Sequence, residues 1–130
     1  MEPNGALAEL LALSSQIADV AILGESGFVL ASSGTPERGE QLARIAAELV
    51  AAAGDVRASG DVSWVEVALG STSVFVVCES GRIAVATTVP KATAGLVIYD
   101  LRTALRRLDD EQDDERSGAG KEETADAQSA

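Results

Sequence analysis

Cys78 is the only side chain of nucleophilic type with a distinctive reactivity in this 130-residue sequence, and there is no histidine to pair with it. A thiolate, not a thiol, attacks, and forming one near neutral pH takes a neighbouring imidazolium, another cation or a helix N-terminus. Cys78 instead sits within an alternating run, at the parity of Thr72, Val74 and Val76, where a small buried hydrophobe is the simpler reading. The missing histidines also exclude a serine–histidine–acid triad and a histidine-bearing zinc site, and one cysteine excludes an intramolecular disulfide. The acids Glu25, Asp55, Asp61 and Glu79 fall in turn segments, where such residues cap or are solvated, and no Asp-x-Asp calcium loop is present. Arg102, Arg106 and Arg107 lie in the C-terminal half of the last predicted helix, where cations oppose the helix dipole. No acid, base and nucleophile come together, so the sequence predicts no enzyme, no cofactor and no metal site.

Charge narrows the partners. Ten basic residues against twenty-one acidic ones give a net charge of −11, opposite in sign to what a phosphate backbone or an anionic lipid surface attracts. Neither nucleic acid nor membrane is an expected partner. No apolar stretch approaches the roughly 20 residues that span a bilayer, and the start, Met1-Glu2-Pro3-Asn4, lacks a basic leader region. Together with the single free thiol this predicts a cytoplasmic address. Much of the acidity is concentrated after Leu108: Asp109, Asp110, Glu111, Asp113, Asp114, Glu115, Glu122, Glu123 and Asp126 face only Arg116 and Lys121. That segment has no apolar residue larger than alanine with which to offset its ordering entropy. The expectation is therefore a folded domain over 1–108 and an acidic, disordered, solubilising tail over 109–130.

The body is organised by hydrophobic period. Leu7, Leu10 and Leu11 share a helical stripe after Asn4, a candidate N-cap, predicting a short helix over about 5–15. Two β-rich runs follow, Ala18–Gly24 and Phe28–Ser32, joined by Glu25-Ser26-Gly27, in which Gly27 can take the positive φ of a hairpin loop. Thr35 and Pro36 then fit the N-cap and first turn of a longer helix whose stripe is Leu42, Ile45, Ala46, Leu49 and Val50, ending at Gly54. A neighbouring row, Ala43, Ala47 and Ala51, would allow close approach, although alanine is also the best helix former. Three alternating runs come next: Val62–Leu69, Thr72–Glu79 and Arg82–Val89. Gly70-Ser71 and Ser80-Gly81 separate them, connections too short for anything but an antiparallel meander. After Pro90, Thr93 can cap a last helix with Val97, Leu101, Leu105 and Leu108 on one stripe.

These strands carry apolar residues on both faces, so the sheet needs cover on both. The predicted architecture is α/β: a five-stranded antiparallel sheet with the middle helix on one face and the two terminal helices on the other. The strand that opens the meander holds Val62, Trp64, Val65 and Val67 with neither proline nor lysine, and its one charge, Glu66, protects an edge weakly. Trp64 suits either an interface anchor or a core position under the terminal helices.

Over about residues 5–108 the chain resembles the roadblock family, which includes the dynein light chain of that name and the bacterial partner of the gliding-motility GTPase. The stretches that carry the resemblance are "ADVAILGESGFVLASSG", "ARIAAELVAAAG" and "GRIAVATTVPKATAGLVIYDLRTALRRL". Profilin-like and longin-like domains share the same general architecture. The resemblance implies a homodimer in which the meander's first strand pairs with its twin and the middle helices pack side by side. On this chain the corresponding interface would comprise Leu42, Ile45, Ala46, Leu49, Val50, Val62, Trp64, Val65 and Glu66.

The resemblance further implies a partner, a Ras-like small GTPase, bound by a non-catalytic regulator or adaptor. The chain is not itself such a GTPase, because it contains no Gly-x-x-x-x-Gly-Lys-Ser/Thr loop. Arg38, Arg44 and Arg57 lie on or after the middle helix, but the resemblance assigns no arginine finger to any of them. Two alternatives stay open on the sequence: a scaffold that joins other signalling proteins, a sensor kinase among them, without touching a GTPase; and a small-ligand sensor of profilin or longin shape.

Overall fold

The structure, a computed structural model, describes residues 1–56 and 61–121, with side chains as far as residue 108. The elements follow the order α1 (Pro3–Leu13), β1 (Ile17–Leu23), β2 (Val29–Ser32), α2 (Pro36–Gly54), β3 (Trp64–Leu69), β4 (Thr72–Glu79), β5 (Arg82–Thr88) and α3 (Ala94–Lys121). All strand pairs are antiparallel, and the sheet order is β2-β1-β5-β4-β3. The hairpin and the meander are thus fused by β1–β5 pairing, which leaves β2 and β3 as the two edges.

Local chemistry explains the connections. Ser80 and Gly81 have φ of 55° and 78°, the twisted two-residue loop that matches the twist of flanking strands. At the start of α2 the Thr35 hydroxyl accepts from the Arg38 backbone N–H at 3.1 Å, with Pro36 in the first turn. Gly39 is needed for close packing: a Cβ there would lie 2.7 Å from Ser32 Oγ, so α2 sits directly on β2.

Two hydrophobic layers enclose the sheet, as the double-sided apolar pattern required. One contains Leu7 and Leu10 of α1, Val97, Leu101 and Leu105 of α3, and Val20, Ile22, Phe75 and Val77 of the sheet. The other sets Leu42 and Ala46 of α2 against Ala21, Leu23, Val74, Val76 and Val85. Val20 to Leu23 are buried without a break, because alternate residues enter opposite layers. The middle helix therefore covers one face and the terminal helices the other.

The element ends differ from the sequence reading in places. α1 starts at Pro3, with Glu2 at the N-cap and no side-chain cap, because Pro3 is already suited to a first turn; Asn4 is inside the helix. Val62 precedes β3 instead of opening it. α3 runs past residue 108, the expected domain boundary, to Lys121. Apolar periodicity ends at Leu108, but a helix nucleated by packing propagates at the gain of one hydrogen bond per added residue, without needing an apolar stripe. Residues 122–130 of the expected tail lie outside the described residues, as does Arg57. Among the described residues, no helix is long and apolar enough to cross a membrane.

Candidate functional site

Among the described residues, β3 is hydrogen-bonded on one side only. The Cys78 N–H donates to the Ser63 carbonyl at 2.9 Å, making Ser63 and Cys78 a bonded pair in the β3–β4 ladder. By alternation Val65, Val67 and Leu69 also turn their backbone groups toward β4. Trp64, Glu66 and Ala68 therefore point their N–H and C=O groups outward, away from the sheet. β4 shows the complementary phase: the N–H of Ser73, which is paired with Ala68, turns to β5 and donates to Thr88 Oγ1 at 2.9 Å. Among the described residues, nothing pairs with the outer side of β3.

The faces of this edge differ. Trp64 and Glu66 pair with Val77 and Phe75, which belong to the layer beneath α1 and α3. Among the described residues, however, only α2 of the three helices makes an appreciable contact with β3. Trp64 is consequently 43% exposed: α3 covers β4 and β5 but does not reach this far. That settles the alternative left open by the sequence, since Trp64 is not a core residue beneath the terminal helices. On the other face Val65 packs at the margin of the α2 layer, and Leu69 at the strand end is exposed.

The α2 stripe divides in two. Leu42 and Ala46, 1% and 0% exposed, are enclosed against the chain's own sheet, so their side chains are not at the surface where the resemblance would put them. Both pack into one layer with Ala21, Leu23, Val74, Val76 and Val85 of the sheet. Ile45, Leu49 and Val50 are half-buried at its margins, and Ala47 and Ala51 of the alanine row are exposed. The available surface therefore joins the outer side of β3 (Trp64, Val65, Glu66), the preceding Val62, and the flank of α2 (Ile45, Leu49, Val50).

Elsewhere several titratable groups are engaged structurally. Arg106 meets Glu79 at 3.0 Å, Arg102 lies 3.9 Å from the same carboxylate, and Arg107 pairs with Glu9. These arginines do not complement the end of the helix dipole, as α3 continues beyond them; they tie α3 to β4 and α1. Arg38 bonds Asp19 at 3.2 Å and Thr87 bonds the same oxygen at 3.1 Å, linking α2 to β1 and β5. Cys78 is half-buried, and desolvation pushes its thiol pKa up, away from nucleophilic activation. Among the described residues no group of three or more His, Cys, Asp or Glu is placed to hold a metal ion.

A shallow groove of about 210 Å³ runs between α1 and α3, lined in part by Leu10, Leu13, Tyr99 and Arg107. Sequence reasoning missed it, because Leu13 and Tyr99 stand off the apolar stripes of their helices. The space between the sheet and these helices is filled by Phe75, Leu101 and Leu105, all 2% exposed or less.

No protein-family model and no curated protein matches the sequence. Solved structures do. The crystal structure of a Roadblock/LC7 domain from Streptomyces avermitilis superposes with a TM-score of 0.74 at 22% identity, over 86% of this chain and 98% of that one. MglB of Myxococcus xanthus gives a TM-score of 0.67 at 16% identity, over 85% and 87% respectively. The profilin of a LokiProfilin2/rabbit actin complex gives 0.57 at 15% identity, over 80% and 92%. The chain is therefore an α/β domain of the type shared by roadblock and profilin structures.

Proposed function

We propose that this chain is a homodimeric, non-catalytic regulator or adaptor that binds a Ras-like small GTPase. The observation that supports this best is the outer side of β3: a regular, unpaired ladder with Trp64 exposed beside it and the α2 flank adjoining. An edge of this kind, free of proline, lysine and bulge, is a template for another strand. A second copy supplies a matching one, and joining the two gives a continuous sheet with two α2 helices on one face. The surface so formed is what would receive the GTPase, in keeping with the likeness to MglB and to roadblock domains. The domain proper would end near residue 108, with the acidic segment beyond it as a solubilising extension, and the protein would act in the cytoplasm.

Two measurements test the reading separately. Light scattering of the full chain should give twice the monomer mass, and Val65→Lys should reduce it to that of the monomer. Capture of Ras-like GTPases on the immobilised chain should depend on the bound nucleotide. Equal capture with GDP, a GTP analogue or no nucleotide would count against regulation, and a dimer that captures no GTPase would leave only the scaffold.

A further inference from the structure

Granting the dimer, the β3 ladder determines how two copies can meet. In a two-fold antiparallel pair, residues reflect about a centre. An axis falling between two residues would set outward-pointing backbone groups against inward-pointing ones, so the axis must pass through a residue. Two centres keep nearly all of 62–69 in the new ladder: Val65 and Glu66. Centring on Val67 would bring the turn residue Gly70, at φ 66°, opposite Trp64, while centring on Trp64 would leave Val67 to Leu69 unpaired.

Charge separates the two that remain. An axis at Glu66 sets that carboxylate directly opposite its own copy, and like charges so placed are destabilising. An axis at Val65 removes the conflict. We infer that the β3 edges pair antiparallel about Val65, with each Trp64 opposite the partner's Glu66 and Val62 opposite the partner's Ala68. On the face that α3 leaves uncovered, the exposed indole then lies over the aliphatic stem of the opposing glutamate. On the α2 face, Val65 meets the partner's Val65 at a position where the backbones approach to about 4.5 Å between Cα atoms.

Single-cysteine variants of the full chain in a Cys78→Ser background read this register directly. A disulfide needs Cα atoms about 4.4–6.8 Å apart. Val65→Cys meets that limit across the proposed axis. Glu66→Cys does not, since its copy is displaced by two residues, about 7 Å along the strand, and Val67→Cys is further away still. Under mild oxidation Val65→Cys should yield roughly tenfold more cross-linked dimer than either neighbour. Dominant cross-linking through Glu66→Cys or Val67→Cys would overturn the register while leaving the dimer. A dimer by light scattering that cross-links at none of the three would overturn pairing about any of these centres, and a monomeric chain would remove the dimer on which this inference rests. A variant without cysteine gives an independent reading: Glu66→Gln should change the dimer Kd by less than about 3-fold, whereas a tightening of about tenfold would place the axis at Glu66.

Discussion

The sheet has two edges, and they are guarded differently. β2 is four residues long, and its register with β1 shifts between Ile22 and Leu23, an irregularity that interrupts a template for pairing. Helices flank it on both faces: α1 packs on it, and α2 is brought against Ser32 at Gly39. β3 is longer, keeps an unbroken register from Trp64 to Leu69 and, among the described residues, has only α2 appreciably beside it. An edge that is short, bulged and covered is protected from association. A regular and uncovered one is available for it, and the tryptophan and the α2 flank lie on that side.

The comparison can be broken by substitutions on each side. The largest effect is expected from Glu66→Pro. The Glu66 N–H points out of the sheet, so proline leaves the β4 ladder intact and removes a donor only from the free edge. Losing that bond in both copies, at about 1 kcal/mol each, should weaken the dimer by roughly 30-fold or more, read as a concentration-dependent mass by light scattering. Gly39→Ala acts on the other edge. Its Cβ collides with Ser32 Oγ at 2.7 Å and Ser32 Cβ at 2.9 Å, so α2 must lift from β2. Chemical denaturation should show a loss of about 1–3 kcal/mol. Thr35→Ala removes the α2 cap and should cost about 1 kcal/mol by the same measurement.

Smaller effects sharpen the contrast. Leu30→Lys on β2 should leave the mass unchanged; conversion to monomer would mean that the edges have been assigned the wrong way round. Trp64 is the only tryptophan, so its emission should shift to shorter wavelength as the chain is concentrated through its dimer Kd. Cys78 supplies a check on burial. Desolvation raises its pKa, so less thiolate is present at pH 8 than for a free cysteine, and alkylation should be slower in the folded chain than in denaturant.

Much of this fold was legible in the sequence because its elements are locally consistent. The Thr35-Pro36 start of α2, its Gly54 end and the two-residue meander turns rest on short-range chemistry that a reader can follow residue by residue. The double-sided apolar strands also required cover on both faces. The interface was less legible. Leu42 and Ala46 belong to the same stripe as Ile45, Leu49 and Val50, and periodicity alone does not say which members face the sheet and which rim it. Leu13 and Tyr99, lining the α1–α3 groove, carry no periodic signal, since a groove is formed by two helices that meet only in three dimensions.

The sequence by itself determined the order of elements, their turns and caps, and the absence of histidine chemistry, because these depend on residue type and on contacts close along the chain. Tertiary structure alone decided that β2 is the other edge, how far α3 reaches across the sheet and therefore that Trp64 is left exposed. Those outcomes depend on β1 pairing with β5 across about half of the chain and on where helices of fixed width come to rest, distances that no local pattern encodes.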